Sequence, residues 1–316
     1  MVTIKDVARV AHVSPATVSY VLNDSAPVRE ETRARVLAAV RSLGYQPNQQ
    51  ARNLQRQRTG TLGLILTTRQ THIPSDDFDL GPLLVQCVAT AAEFGYSLLV
   101  LPSLDHAPAA HGVADGWIML EAEEQPQLGP QVWATWPPRG SQAPAVICDG
   151  AAGAERAVSA LVATGRTRIA LITPPTGTVG SSRWYLGYRR ALRRAGLAFD
   201  PMLVVEPEGR SSAAGAAALE ALAASGSEFD GLLTAGGALA YGVAQAAERI
   251  SGDLGRDWSL IAGADGPLVA GAGISALRWP TQAWGTALTE QLVALLNGET
   301  PPQRTLLLPT LVIRHS

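Results

Sequence analysis

Along the first 46 residues, apolar side chains recur at three- and four-residue intervals, the spacing of a buried helix face. Ile4, Val7, Ala8 and Ala11 form one such set, opened by Thr3 and Asp6 as a capping pair. After a break at His12-Val13, Ser14 suits an N-cap, and Pro15 fills the first helical position, where its missing N–H costs nothing. Val18, Val21 and Leu22 then face inward, which leaves Ala16, Thr17, Ser19, Tyr20 and Asn23 outside. A third helix starts near Val28, with Glu30 and Glu31 at its positive end. It turns Val36, Val40 and Leu43 inward and stops at Gly44. Two short helices joined by a tight turn make a helix-turn-helix, whose second helix enters the major groove of DNA.

From Thr61 the pattern changes to short apolar runs alternating with helical stretches. Strands are predicted at 62–66, 97–101, 117–120, 145–148, 168–172, 202–205, 231–234 and 258–262. Helices are predicted between them at 82–94, 151–164, 185–195, 212–224 and 237–249. Such alternation builds parallel sheets covered on both faces, with ligands at the carboxyl ends of the strands. The expected architecture is a small all-α helix-turn-helix head (1–46), a hinge and linker (47–60) and an α/β body (61–316). The body is long enough for two doubly wound parallel-sheet subdomains.

Charge sharpens this division. Residues 1–60 hold nine Lys/Arg against four Asp/Glu, and the remaining residues hold 16 against 23. A basic head on an acidic body points to a polyanion partner for the head alone. No apolar run approaches the roughly 18 residues of a membrane span. Lys5, Asp6 and Arg9 interrupt any signal-peptide pattern, so a cytoplasmic protein at the nucleoid is expected, with no membrane partner. The two cysteines, Cys87 and Cys148, lie far apart in apolar surroundings and suggest neither a disulfide nor a metal site. Five histidines show no metal spacing, and the nucleophile-elbow, phosphate-loop and dinucleotide motifs are missing. Neither an enzyme nor a cofactor is expected.

The run Thr3-Ile4-Lys5-Asp6-Val7-Ala8, then Val13-Ser14-Pro15-Ala16-Thr17-Val18-Ser19, Val21-Leu22-Asn23 and Gly44-Tyr45-Gln46-Pro47-Asn48, resembles the DNA-binding head of the lactose-repressor (LacI/GalR) family. The resemblance implies that Pro15, Ala16 and Tyr20 meet base edges, while Ser14, Thr17, Asn23 and Tyr45 hold the phosphate backbone. Thr3, Ser19 and Asn48 complete the DNA-contact candidates on this side of the hinge. Two positions depart from the family. His12 stands where Gly is usual, in a turn suited to positive φ, and Tyr20 stands where Arg or His is usual. A tyrosine offers one hydroxyl and a ring face, not a bidentate fork to guanine. Residues 47–56 are too short to be a stable helix alone in water. They read either as a flexible linker with one stray leucine or, by the resemblance, as the family's hinge helix. In the second case Ala51 and Leu54 would lie in the minor groove, with Leu54 wedged between base pairs.

Farther on, Gly165-Arg166-Thr167-Arg168-Ile169-Ala170 and Ile261-Ala262-Gly263-Ala264-Asp265-Gly266 resemble the same family's effector domain, itself similar to periplasmic sugar-binding proteins. The resemblance implies three chain crossings, with one subdomain of about 61–149 plus 281–300 and another of about 150–278 plus 304–316. Asp265 matches the family's late acidic ligand for paired sugar hydroxyls; alternatively it caps a backbone turn. Trp184 stands where the family has an arginine, with Arg183 one residue earlier, and Gly236-Gly237 replace a usual Asn-Asp pair. Trp136, Trp184 and Trp279, with Phe78, are candidates for stacking on a sugar ring, although tryptophans more often pack cores. The implied protein is a homodimeric transcription regulator, a repressor, that binds a palindromic operator in double-stranded DNA. Its small-molecule effector would be a sugar or sugar-like metabolite. A ligand-blind regulator with a degenerate cleft and a solute-binding receptor without DNA function are the alternatives. The tail after Leu311 carries no heptads, which argues against a tetramer held by a C-terminal coiled coil.

Overall fold

The computed structural model describes residues 2–23, 26–45, 58–67, 80–103, 112–120, 126–173, 179–250 and 258–314. The chain divides into two compact units, Met1–Gly60 and Thr61–Ser316.

The first unit holds three helices, α1 (Ile4–Ala11), α2 (Pro15–Asn23) and α3 (Glu30–Leu43). Val7, Ala8 and Ala11 of α1, Val18 and Val21 of α2, and Val36 and Ala39 of α3 share one small core. At the start of α1 the Asp6 carboxylate accepts the Thr3 N–H at 3.0 Å and the Thr3 hydroxyl at 2.7 Å. Those bonds, the hydroxyl first, hold the Asp6 pKa below the usual carboxylate range. Between α1 and α2 the chain turns through His12 at φ 53°, ψ 48°, in the left-handed region. It is the one positive-φ residue other than glycine among those described. Ser14 then accepts the Thr17 N–H at 3.1 Å and caps α2. At the far end, Gly44 at φ 59° closes α3, and the Tyr45 N–H returns to the Val40 carbonyl at 3.0 Å.

The second unit is built on two six-stranded sheets. The first has the order β11-β5-β4-β3-β1-β2, from β1 (Thr61–Thr67), β2 (Ser97–Ser103), β3 (Gly116–Met119), β4 (Gln131–Trp133), β5 (Ala145–Cys148) and β11 (Arg304–Leu307), all parallel. One face carries Leu62, Leu64, Ile118, Val132 and Val146. It is covered by α4 (Leu80–Glu93) and α10 (Thr281–Leu296) through Leu83, Cys87, Trp284, Leu288 and Leu292. The other face carries Ile65, Trp117, Met119, Trp133 and Ile147, packed with Leu128, Trp136 and Ala143 from the connections. Trp117 lies flat over Gly63, where any Cβ would collide with its ring. Among the described residues no helix covers this face; tryptophans fill it.

The second sheet has the order β12-β10-β9-β8-β6-β7, from β6 (Ile169–Ile172), β7 (Val204–Val205), β8 (Gly231–Thr234), β9 (Ser259–Ala262), β10 (Ser275–Arg278) and β12 (Thr310–Val312). Its strands are parallel except β12, which runs antiparallel to β10. Helices α5 (Gly150–Ala163) and α6 (Val179–Arg194) pack on one face around Val158, Leu161, Tyr188 and Leu192. Helices α7 (Ser212–Ala224) and α8 (Gly237–Ile250) pack on the other around Leu219, Leu222, Leu239 and Val243. A short helix, α9 (Pro267–Gly271), follows β9.

Two sequence expectations are corrected. Residues 304–307, expected in the second subdomain, pair with β5 in register Arg304↔Ala145 to Leu307↔Cys148 and belong to the first sheet. The final crossing therefore comes after Leu307, because both β11 and β12 are needed to finish an edge. Helix α6 begins at Val179 and not at 185, so Arg183 and Trp184 sit on a helix and no loop shift is needed to present one of them. Both cysteines are free thiols, and burial pushes Cys87 up to about 11 and Cys148 up to about 12. No helix among the described residues is long and apolar enough to cross a membrane.

The run after α5 is fixed by one carboxylate. Asp230 accepts the Thr167 N–H at 2.8 Å, the Arg168 N–H at 2.8 Å and the Thr167 hydroxyl at 3.1 Å. Burial works against the charge, but these donors outweigh it, and the Asp230 pKa lies below its ordinary value. A depressed pKa means stability present above the unfolded pKa and lost as pH falls through the folded one. Asp230→Asn should therefore destabilise the fold at pH 7 by about 1–2 kcal/mol of lost charge-assisted bonding, read as a lower melting temperature. The gap between mutant and wild type should shrink as pH falls below about 4; a gap that stays constant well below that pH would refute this account. In the head, His12→Gly should stabilise by up to about 1 kcal/mol, since glycine carries no left-handed penalty. Chemical denaturation that gives no gain for His12→Gly over wild type would count against strain at this turn.

Candidate nucleic-acid interface and ligand cleft

The head presents α2 with one face buried and one free. Val18 is fully buried and Val21 is 4% exposed, while Pro15 and Ala16 are exposed and Tyr20 keeps 46% of its surface. The three candidate base readers thus lie on the outward face of one helix. Ser14 is exposed, and its hydroxyl lies 2.9 Å from that of Thr17, so both are already oriented by capping. Thr3 is exposed beside α1, Ser19 is half-buried on α2, and Tyr45 packs against the head core. The side chain of Asn23 and the hinge candidates Asn48, Ala51 and Leu54 lie outside the described residues.

In the body, the candidates fall into two groups. The first surrounds the start of α6. Trp184 packs on two glycines: a Cβ at Gly150 would lie 3.0 Å from its Nε1, and one at Gly263 would lie 2.9 Å from its ring. It meets Trp279 edge-on, with ring centroids 6.3 Å apart, and Trp279 donates its indole N–H to the Gly263 carbonyl at 2.8 Å. Arg183 points elsewhere. Its guanidinium carbon sits 4.5 Å from the centroid of the Trp136 ring, and its Nη2 donates to Asp149 Oδ1 at 2.8 Å. Asp149 also caps α5, accepting the Ala151 N–H at 3.1 Å. Four sequence candidates, Arg183, Trp184, Trp279 and Trp136, therefore share one neighbourhood, with Asp149 as an unforeseen member. Its signal was an aspartate between a strand and a glycine-led helix, a capping position.

Asp265 forms the second group. Its Oδ2 accepts Arg278 Nε at 3.0 Å and Nη2 at 2.8 Å, and its Oδ1 accepts Arg314 Nη2 at 2.8 Å and the Gly266 N–H at 3.1 Å. Arg314 is held in turn by the Ile274 carbonyl at 2.7 Å. The carboxylate is thus bound by two arginines from β10 and the tail, neither of which the sequence had marked. Phe78 lies outside the described residues. Several buried polar side-chain atoms have no partner among the described residues, among them the Trp133 indole N–H at the end of β4, the Trp136 indole N–H just after it and the Thr173 hydroxyl after β6. Buried polar groups in this condition are uncommon and call for an explanation.

Comparison with known proteins fits both halves of this description. Residues 3–48 match the model of "Bacterial regulatory proteins, lacI family", and residues 158–316 match that of a "Periplasmic binding protein-like domain". The chain is 28% identical over 335 residues to the HTH-type transcriptional regulator CelR of Thermobifida fusca, covering 99% of this chain and 98% of that one. It is 33% identical over 215 residues to the ribose operon repressor of Escherichia coli (strain K12), covering 62% and 63% of the two chains. Among solved structures, a transcriptional regulator CelR–cellobiose complex superposes over 100% of both chains at 25% identity and a TM-score of 0.73. A lac repressor dimer bound to operator and an anti-inducer shares the fold, with a TM-score of 0.76 at 23% identity over 99% of this chain and 98% of that one. These relatives are transcriptional regulators and not enzymes. The chain belongs to the lacI family of bacterial regulatory proteins: it is a DNA-binding transcriptional regulator with a helix-turn-helix head and a periplasmic-binding-protein-like effector body.

Proposed function

We propose that this regulator is a cytoplasmic homodimeric repressor that holds a palindromic operator with two heads and releases or tightens it in response to a sugar. The observation that carries the DNA half is the division of α2, with Val18 and Val21 inside and Pro15, Ala16 and Tyr20 outside. Pro15 and Ala16 supply apolar contact to base edges, and Tyr20 adds one hydroxyl. Thr3, Ser14, Thr17, Ser19, Asn23 and Tyr45 serve the phosphates, which fix register without reading sequence. Asn48, Ala51 and Leu54 serve the minor groove, where the Leu54 wedge unstacks a base step to allow a bent duplex.

The sugar half rests on the likeness to CelR, whose structure holds cellobiose. In this chain, Trp136, Trp184 and Trp279, with Phe78, offer the ring faces for a pyranose. The Trp136 N–H and the Thr173 hydroxyl, with the Trp133 N–H, are among the polar groups left without partners at the strand ends, among the described residues. Arg183 and Asp265 enter the site already paired, so sugar hydroxyls meet them as members of ion pairs. That favours a ligand recognised mainly by stacking, with few hydrogen bonds.

Selection of operator sequences from a random pool should return a two-fold symmetric site. On that site Leu54→Ala and Tyr20→Ala should each bind at least about tenfold more weakly in a gel shift, with the melting temperature unchanged. Wild-type affinity in both mutants would sink the assignment. For the effector, a thermal-shift screen of mono- and disaccharides should give a sugar that raises the melting temperature and also changes operator affinity, because coupling between two ligands is reciprocal. Stabilisation by a sugar without any change in DNA binding would count against control through this cleft.

A further inference from the structure

Arg183 projects from a backbone that is locked into the second subdomain. Trp184, the next residue, is pressed onto Gly150 and Gly263 and braced by Trp279, which is itself bonded to Gly263. The Arg183 side chain nonetheless leaves that subdomain. Its guanidinium lies over Trp136, which packs with Ile65, Met119, Trp133 and Ile147 on the first sheet. Its ion pair goes to Asp149, which sits at the crossover between the sheets. The Asp149 N–H donates to Leu307 of the first sheet at 3.3 Å, and its carboxylate caps α5 of the second. One arginine therefore ties a helix of the second half to a ring of the first and to the point where the chain passes between them. The arrangement is partly screened from water: the side chains of Arg183 and Asp149 keep 25% and 12% of their exposure. A cation over an indole gains most when desolvated, and the planar guanidinium can stack and form its ion pair at once.

We propose that Arg183 is an internal clasp that holds the two halves of the body together in the absence of any ligand. It reaches across between the halves as a bound effector would, anchored to one wall and stacked on the other. Separating the halves means lifting the guanidinium off Trp136, so an effector that changes their angle acts against this contact. The clasp sets the ligand-free resting state, and it deepens the sugar-responsive reading without requiring it.

The test uses the full chain without ligand or DNA. Spin labels are placed through Val113→Cys in the first subdomain and Leu268→Cys in the second, both at exposed sites. Cys87, which is buried, and Cys148, which is half-buried, are both replaced by Ala so that only the introduced thiols react. Wild type should give one narrow distance distribution. Arg183→Met, which keeps the length and drops the charge, should broaden it and move it by several ångströms. Arg183→Lys, which keeps the charge but loses the flat stack, should fall between the two. Should Arg183→Met fail to fold, Trp136→Leu removes the ring alone and should give the same broadening. An unchanged distribution in Trp136→Leu together with Arg183→Lys or Arg183→Met would overturn the clasp. Because no effector is present, that failure would leave the sugar-responsive reading standing, and a fruitless sugar screen would leave the clasp intact.

Discussion

The body depends on what happens at Asp149. Two six-stranded sheets have few ways to hold a fixed relation when the chain passes between them only three times, after β5, after β10 and after β11. At the first of these crossings a single carboxylate caps α5, receives Arg183 and is tied by its own N–H to β11. Three otherwise separate elements are thereby referred to one point. Removing that charge would leave the Arg183 guanidinium partly buried without its anion, which costs far more than an exposed ion pair contributes. The same position thus constrains local helix geometry and the relation of the halves.

How much of this was legible in the sequence follows the range of each interaction. The head was almost fully readable because its signals are local: Thr3 with Asp6, Ser14 with Thr17, His12 in the turn, and Gly44 at the stop of α3 all act within a few residues. Apolar runs likewise located most strands of the body to within a residue or two. β4, β10 and β12 escaped: β4 and β12 are three residues long, and β10, Ser275–Arg278, holds only two apolar residues. The placement of residues 304–307 was unreadable for another reason. A four-residue strand that pairs in either sheet looks the same, and only the register against Ala145–Cys148 decides it. Arg278 and Arg314 escaped because their partner, Asp265, lies 13 and 49 residues away.

The first sheet shows a substitution of material that composition alone could only hint at. Its outer face meets no helix among the described residues, and three tryptophans, Trp117, Trp133 and Trp136, take up the volume. A flat indole on Gly63 supplies large apolar area with two rotatable bonds, a low entropy cost for the surface covered. The price is polar: the indole N–H groups of Trp133 and Trp136 are buried without partners among the described residues. Of these, Trp136 also carries the Arg183 stack, so a residue recruited for packing on the first sheet also meets the second half of the body.

The cleft and the head share a chemical tendency. In the body, Asp149 and Asp265 are already committed to arginines, so a ligand held as proposed would meet mainly ring faces and a few isolated polar atoms. On α2, Pro15 and Ala16 offer base edges no hydrogen bonds, and Tyr20 offers one. Where bidentate pairs are missing, discrimination rests on shape, stacking and the energy of deforming the partner. For the DNA, the proposed reading would move weight from the recognition helix to the segment around Leu54. For the effector it moves weight from hydroxyl-counting to the fit of a flat face, which makes Trp136, already engaged by Arg183, the residue at which ligand and clasp would compete.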